Sequence, residues 1–373
     1  MIKRIMAIIE IPTIEHRKAA DDRYAYHEVE TEDPYLSDQF ERVNAELKEL
    51  SDMGYYGDAS IDLTRKRKGV IDRDNPSTAE LIRRLPTFSD WLDLIPTAAA
   101  LDSLYDPHKE TLANGKPMSR ELAEWFCNIV DGRGIRSRAE IVRQVMLTDA
   151  LALDHQARWL SLASGAAQPV IKTASMVGEQ SGIVPSVTLV DRDRESLALA
   201  RRYAQDAGIG GAIQTRSLNI LQPGGIDRPM HTSDLDAGVS LAGLRQLLQG
   251  NRLPEGFYDT VEVVGLTEYL RPDDWTYTYH KVISTKRPMA GAETFLRNSY
   301  KLVRPGGSLI VGNMLDTHPQ LGFTLNVIQW PHIQPRSIDQ MMDIFDAADL
   351  GPERDVYTAA DGAYAIYKIS KAA

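Results

Sequence analysis

Between Trp159 and Asp193 the chain reads as strand, tight small-residue turn, helix, strand and acidic end. The segments are Trp159-Leu-Ser-Leu-Ala-Ser-Gly-Ala-Ala-Gln-Pro169 and Val187-Thr-Leu-Val-Asp-Arg-Asp193. This order constrains the fold more than any other feature, because it is how an α/β sheet builds a nucleoside pocket at the carboxyl ends of its strands. The small residues Ala163, Ser164, Gly165, Ala166 and Ala167 let a ligand approach the backbone where the first strand ends. Asp191, followed by Arg192, ends the next strand, where a carboxylate can accept hydrogen bonds from the two hydroxyls of a ribose.

The pattern continues downstream. A helix over Arg194 to Ala207 leads to a third strand near Ala212 to Leu218, and Tyr258 to Gly265 reads as a fourth. A helix from Ala292 to Leu302 passes through Val303-Arg-Pro-Gly-Gly307 into a fifth strand, Ser308 to Val311. A helix near Ser337 to Asp349 precedes two closing segments. Strands alternating with helices predict a mainly parallel sheet covered on both faces. Residues 222–256, rich in Gly, Pro and Asp, read as an insertion with a short helix around Leu241 to Leu248.

The first 150 residues differ in kind and read as mostly helical after a polar, strand-like start. Leu36, Phe40, Val43, Leu47 and Leu50 recur at helical spacing, Ser77-Thr-Ala-Glu80 has capping-box spacing, and Ser119 to Val130 is amphipathic. Asp131-Gly-Arg-Gly134 is expected to break that helix before another spans Arg138 to Leu153. The expectation is therefore a helical cap or oligomerisation domain over 1–150, with a homodimer formed through it, and a Rossmann-like domain over 151–373.

Composition removes several classes of function. Lysine and arginine number 42 against 52 acids, a formal charge of -10, which disfavours a nucleic-acid backbone as partner; the run Arg65-Lys-Arg-Lys68 reads as a solvated face. A single cysteine, Cys127, leaves no intrachain disulfide and no cysteine-rich zinc site, and the histidines and acids lack ligand spacing, so no metal is expected. No apolar run is long enough to span a bilayer and the first residues lack a signal-peptide pattern, so a cytoplasmic protein with no membrane partner is expected.

The ordered segments resemble the class I S-adenosylmethionine-dependent methyltransferase family, of bacterial small-molecule type. In that family the first strand ends in an acid followed by spaced glycines. Here the acidic position is Ser161 and the glycine positions are Ala163, Gly165 and Ala167, of which only the central one is kept. By the resemblance Asp191 holds the ribose, Asn219 sits against the adenine, and Gly265 and Leu266 at the end of the fourth strand lie beside the methionine part of S-adenosyl-L-methionine. Leu302-Val-Arg-Pro-Gly-Gly-Ser-Leu-Ile-Val311 matches the turn before the fifth strand. Nicotinamide and flavin enzymes keep Gly-x-Gly-x-x-Gly for pyrophosphate, and this loop lacks that spacing.

The resemblance implies an enzyme that methylates a small molecule, on oxygen or carboxyl in preference to nucleic acid or protein. No Asp/Asn-Pro-Pro-Tyr/Phe tetrapeptide follows the fourth strand, which speaks against amide or amino nitrogen. The alternative is a cyclase or lyase that uses the aminocarboxypropyl arm of the same cofactor and releases methylthioadenosine. A sulfonium is already a good leaving group, so positioning and exclusion of water matter most. Candidate catalytic groups at the strand ends are Glu268, Tyr269 and Asn313, with His318 a weaker base. Trp275 to His280 and Asn326 to His332 are candidate pocket walls, and Arg133, Arg136 and Arg138 are candidate partners for a carboxylate.

Overall fold

The computed structural model describes residues 13–18, 23–53, 71–221, 253–272, 290–330 and 333–373. The insertion helix near Leu241, the basic run at Arg65, the Trp275 to His280 segment and the end of the Asn326 to His332 segment lie outside these residues.

The strands are β1 (Thr13–Lys18), β2 (Ala25–Val29), β3 (Arg158–Leu162), β4 (Ser186–Asp191), β5 (Ile213–Ser217), β6 (Tyr258–Val263), β7 (Val303–Met314), β8 (Arg354–Ala359) and β9 (Tyr364–Ser370). They form one nine-stranded sheet in the order β1-β2-β8-β9-β7-β6-β3-β4-β5. From β5 to β7 every neighbour is parallel, whereas β9 runs antiparallel to both β7 and β8. The chain lays β3, β4 and β5 outward in one direction and then returns to place β6 and β7 on the other side of β3. That reversal opens a crevice at the carboxyl ends of β3 and β6.

The helices are α1 (Phe40–Met53), α2 (Pro76–Arg84), α3 (Pro86–Leu92), α4 (Ala98–Tyr105), α5 (Arg120–Asn128), α6 (Val130–Leu151), α7 (Gln168–Ser181), α8 (Arg194–Asp206), α9 (Ala292–Leu302) and α10 (Ile338–Ala347). Period-two alternation in the strands decides which helices cover which face. Leu160, Val190, Leu309 and Val311 share a core with Phe295 and Leu296 of α9 and Met342 and Phe345 of α10. Trp159, Val187, Leu189 and Ile310 point the other way, against Val142 and Met146 of α6, Ile171 and Ala174 of α7, and Leu197 and Ala200 of α8.

The division at residue 150 is crossed in three places. Strand β2 pairs in parallel with β8, so part of the first 150 residues extends the sheet. The C-terminal half of α6 is a sheet-covering helix. Conversely, Phe323, Val327, Ile328 and Trp330 complete the cap's own core around Trp91, Phe88, Leu122 and Phe126. Trp330 packs against Trp91 and Phe323 against Trp125, so the cap's aromatic core is shared with this C-terminal segment.

Two local expectations are corrected. The helix over Ser77 is capped by Asn75, whose side chain accepts from the Ser77 and Thr78 amides, with Pro76 at the first helical position; Glu80 pairs instead with Arg83 and Arg84. The break between α5 and α6 falls at Ile129 (ψ 145°), not in Asp131-Gly-Arg-Gly134, which is the first turn of α6. The glycines there serve close packing: a Cβ on Gly132 would lie 2.4 Å from the Phe126 carbonyl oxygen, and one on Gly134 2.5 Å from the Ala363 Cβ.

Candidate active site

At the crevice lies a cleft of about 740 Å³, within the range of small-molecule and cofactor sites. Ala163, Ser164, Gly165 and Ala166 line it from the turn after β3, and Asp191 and Arg192 from the end of β4. Asn219 lines it after β5, and Gly265 and Leu266 after β6. Parallel strands bring these four loops, far apart in sequence, to a single edge.

The turn after β3 is held almost entirely by protein acceptors. The Ser164 amide donates to the Val190 carbonyl (3.1 Å) and the Ala167 amide to the Ser164 carbonyl (2.9 Å). The Gly165 amide donates to Asp191 Oδ2 (2.8 Å), while Asp191 Oδ1 accepts from the Asp193 amide (2.8 Å). With these amides engaged, the turn has little left for a pyrophosphate. Each Asp191 oxygen still has a lone pair for a hydroxyl donor. The buried Ser164 hydroxyl has no hydrogen-bond partner among the described residues, a further polar group available to a ligand.

Ala163, Gly165 and Ala167 all adopt left-handed backbone, at φ 51°, 53° and 52°. Glycine does this without cost, whereas an alanine loses about 1–2 kcal/mol. The two missing glycines are therefore strained alanines. Gly165 is retained for a second reason: a Cβ there would stand 2.8 Å from the Ala98 Cβ, where α4 of the cap closes on the turn. Ala163→Gly is expected to stabilise the protein by roughly 0.5–1 kcal/mol after the entropy cost of glycine, measured by urea unfolding. A loss of stability would mean that the Ala163 methyl contributes more through packing than the backbone loses through strain.

Sequence reasoning missed the group that fastens cap to cleft. Asp102 of α4 is buried, and its Oδ1 accepts from Gln168 Nε2 (2.6 Å), Lys109 Nζ (2.7 Å) and the Tyr203 hydroxyl. The available signal was a lone acid inside the stretch Ala98 to Leu104, in which Ser103 is the one other polar residue.

The three candidate catalytic residues separate. Tyr269 lines the cleft and its hydroxyl is bonded by Trp330 Nε1; burial and the nearby Glu268 carboxylate push its pKa up. Glu268 lies behind it, lining a side chamber of about 40 Å³ together with Trp91, Arg138 and Tyr364, room for about one water. Burial raises the Glu268 pKa, with Arg138 opposing, and its Oε2 is unbonded among the described residues. Asn313 does not line the cleft. Its amide donates to the Met314 carbonyl (2.6 Å) and its oxygen accepts from Arg336 Nη1 (3.0 Å), so both of its polar atoms are engaged within the protein. His318 is buried, its Nε2 3.3 Å from Asp131 Oδ1, and it does not line the cleft either.

The three arginines also separate. Arg133 stacks over Phe40 and Arg136 is committed to Asp33 and backbone carbonyls. Arg138, the one that lines the cleft, lies over the Tyr364 ring, 4.6 Å from its centroid, with Nη1 3.4 Å from Glu268 Oε1. At the floor, Ser161 of β3 faces Glu262 of β6 and its hydroxyl donates to Oε2, while Oε1 accepts from the Val264 amide (2.7 Å). Burial pushes the Glu262 carboxyl up to about 7, against the opposing pull of Ser161, the Val264 amide and Arg138. Among the described residues there is no group of three or more His, Cys, Asp or Glu able to hold a metal, and no helix long and apolar enough to cross a membrane.

No family model and no curated protein matches the chain. Among solved structures, a possible exported protein from Bordetella parapertussis superposes with a TM-score of 0.54 at 15% identity, over 91% of this chain and 100% of its own. The citrinin polyketide synthase CMeT domain gives 0.46 at 13% identity, over 98% of this chain and 84% of its own. The S-adenosylmethionine-dependent methyltransferase SibL gives 0.41 at 16% identity, over 90% and 76%. Of the three, the first superposes closely enough to establish a shared fold. By its strand order, the switch point between β3 and β6 and the antiparallel β9, the chain has a Rossmann-like α/β fold.

Proposed function

We propose that the protein is an S-adenosyl-L-methionine-dependent methyltransferase acting on an oxygen, hydroxyl or carboxyl, of a small molecule. The observation that carries this reading is the cleft itself: all nine positions read from the sequence as cofactor contacts line it, and its carboxylate, orphan hydroxyl and occupied amides suit a nucleoside without phosphate. Asp191 would hold the ribose and Asn219 the adenine edge. Bound there, the cofactor supplies an activated methyl group.

The protein's own work is positioning and drying the site. Pro96, Leu101 and Tyr105 from the cap and Tyr269 and Trp330 from the C-terminal half wall the rest of the cleft, an apolar and aromatic surround suited to a small acceptor. Of the candidate catalytic residues, Tyr269 is the one that lines this cleft, with Glu268 in the side chamber behind it. The cleft enclosed by a cap and the net charge of -10 favour a small molecule over nucleic acid.

Calorimetric titration with S-adenosylhomocysteine, combined with mass spectrometry after incubation with S-adenosylmethionine alone, tests the proposal. Tight binding with unchanged cofactor is expected. Release of methylthioadenosine above a protein-free control would replace methyl transfer by chemistry on the aminocarboxypropyl arm, and absence of binding would sink both. Asp191→Ala should weaken binding by about 1.5–3 kcal/mol, a lost hydrogen bond to a charged group. Asp191→Asn, which keeps an acceptor for one of the two loop amides, separates loss of the ligand contact from loss of the loop; a folded Asp191→Ala protein with unaltered affinity would mean the ribose lies elsewhere.

A further inference from the structure

The strand that ends at the small-residue turn carries no acid, yet the cleft floor beneath it does. Ser161 and Glu262 are register partners on β3 and β6, and the Ser161 hydroxyl donates to the Glu262 carboxyl across the pair. Glu262 is buried, lines the cleft, and lies three residues before Gly265. A carboxylate buried in the middle of a sheet is expensive unless it is paired or neutral. The groups around it do not neutralise it. Facing it, β3 offers a hydroxyl, α6 offers Arg138, which acts at a distance and is itself shared with Glu268, and β7 offers the apolar Ile310 in register. Its two hydrogen bonds leave further lone pairs on both oxygens.

We infer that Glu262 supplies, from the neighbouring strand, the negative charge missing at Ser161, and that its carboxylate receives the α-ammonium group of the amino-acid arm of the cofactor. This rests on the methyltransferase reading and adds a chain-specific consequence to it. Because burial holds the Glu262 carboxyl near pH 7, a share of the ligand-free molecules carries a proton there at neutral pH. When an ammonium docks, the carboxyl O–H bond breaks, the proton leaves to solvent, and the ammonium keeps its own protons and pairs with the carboxylate. Binding of the cofactor is thereby coupled to release of one proton from Glu262, and affinity rises with pH through neutrality.

The test is calorimetric titration of the intact protein with two ligands at pH 6, 7 and 8, each in two buffers of different ionisation enthalpy. S-adenosylhomocysteine carries the ammonium, and methylthioadenosine presents the nucleoside without it. For S-adenosylhomocysteine we expect release of about half a proton at pH 7 and binding about tenfold weaker at pH 6 than at pH 8, as a single linked site near 7 requires. Methylthioadenosine should bind with no proton release and no such slope. In Glu262→Gln the S-adenosylhomocysteine affinity should fall about tenfold or more at pH 8 and lose its pH dependence, with methylthioadenosine unaffected. Ser161→Ala, which removes a hydrogen bond that lowers the Glu262 pKa, should move the midpoint to higher pH, a shift a merely structural serine would not produce. Equal affinity in Glu262→Gln, or binding to the native protein without proton release, overturns the assignment while leaving the methyltransferase reading intact. Failure of the native protein to bind either ligand overturns both.

Discussion

Arg136→Met is expected to lower the unfolding free energy by about 3–5 kcal/mol, the cost of removing one partner from a buried ion pair. Arg136 lies on α6 and is 8% exposed. Its Nε and Nη2 grip both oxygens of Asp33 at 2.9 and 2.7 Å. Its Nη1 donates to the carbonyls of Leu104 and Phe126 at 2.9 and 3.0 Å, and Nη2 also donates to that of Cys127 at 2.8 Å. Those carbonyls belong to the last turns of α4 and α5, whose final acceptors have no helical partner of their own. One guanidinium therefore ties the segment after β2, two cap helices and α6 together. Methionine fills much of the volume but leaves a carboxylate and three carbonyls without donors. Urea unfolding followed by circular dichroism gives the value, and adding Asp33→Leu to the variant should recover part of the loss because the stranded charge is then gone. A loss below about 1 kcal/mol would mean that water replaces the guanidinium at little cost.

Glu262→Gln is expected to stabilise the ligand-free protein at pH 8 by up to about 3 kcal/mol and to leave it unchanged near pH 4. In the folded protein the carboxyl keeps its proton up to about pH 7, whereas its unperturbed value is 4.5. Between those values the native state binds more protons than the unfolded one, so stability from this group falls as pH rises and is lowest above 7. Glutamine is uncharged throughout, and can still accept from the Val264 amide and donate to Ser161. The stability difference between variant and native protein, followed by denaturant titration from pH 4 to 8, should therefore grow with pH. A difference independent of pH would show that Glu262 does not titrate in this range. Greater stability together with weaker cofactor binding is the usual trade at a functional site that holds a costly group.

Much of the sheet was legible because period-two alternation and intervening amphipathic helices are local signals. Strands β3 to β6 and helices α8 and α9 fall within a few residues of their expected places, whereas β7 begins at Val303 and takes in the Pro305-Gly-Gly307 turn expected to precede it. The pocket followed from that order, since parallel strands place all their carboxyl ends on one edge whatever the intervening loops contain. Other features had no local signal. The polar start of the chain reads as strand-like, but nothing local says that β2 joins the main sheet, which depends on β8 to pair with it. The expected helix break at Asp131-Gly-Arg-Gly134 was misplaced because glycine marks both flexible backbone and close packing, and only the positions of Phe126 and Ala363 reveal which. Asn313 looks like a strand-end catalytic group in sequence and becomes a brace for Arg336 in three dimensions.

The sequence by itself determined the alternating architecture, the turn at Ala163 to Ala167, the acid at Asp191 and the absence of a pyrophosphate motif, because each is written within a few consecutive residues. The tertiary structure decided which polar groups share a space. It set Glu262 against Ser161, 101 residues apart, closed Ala98 onto Gly165, and left Arg138 at the cleft while committing Arg136 to the scaffold. The physical reason is that burial and pairing fix the charge state and the work of such groups, and both depend on neighbours supplied by distant segments.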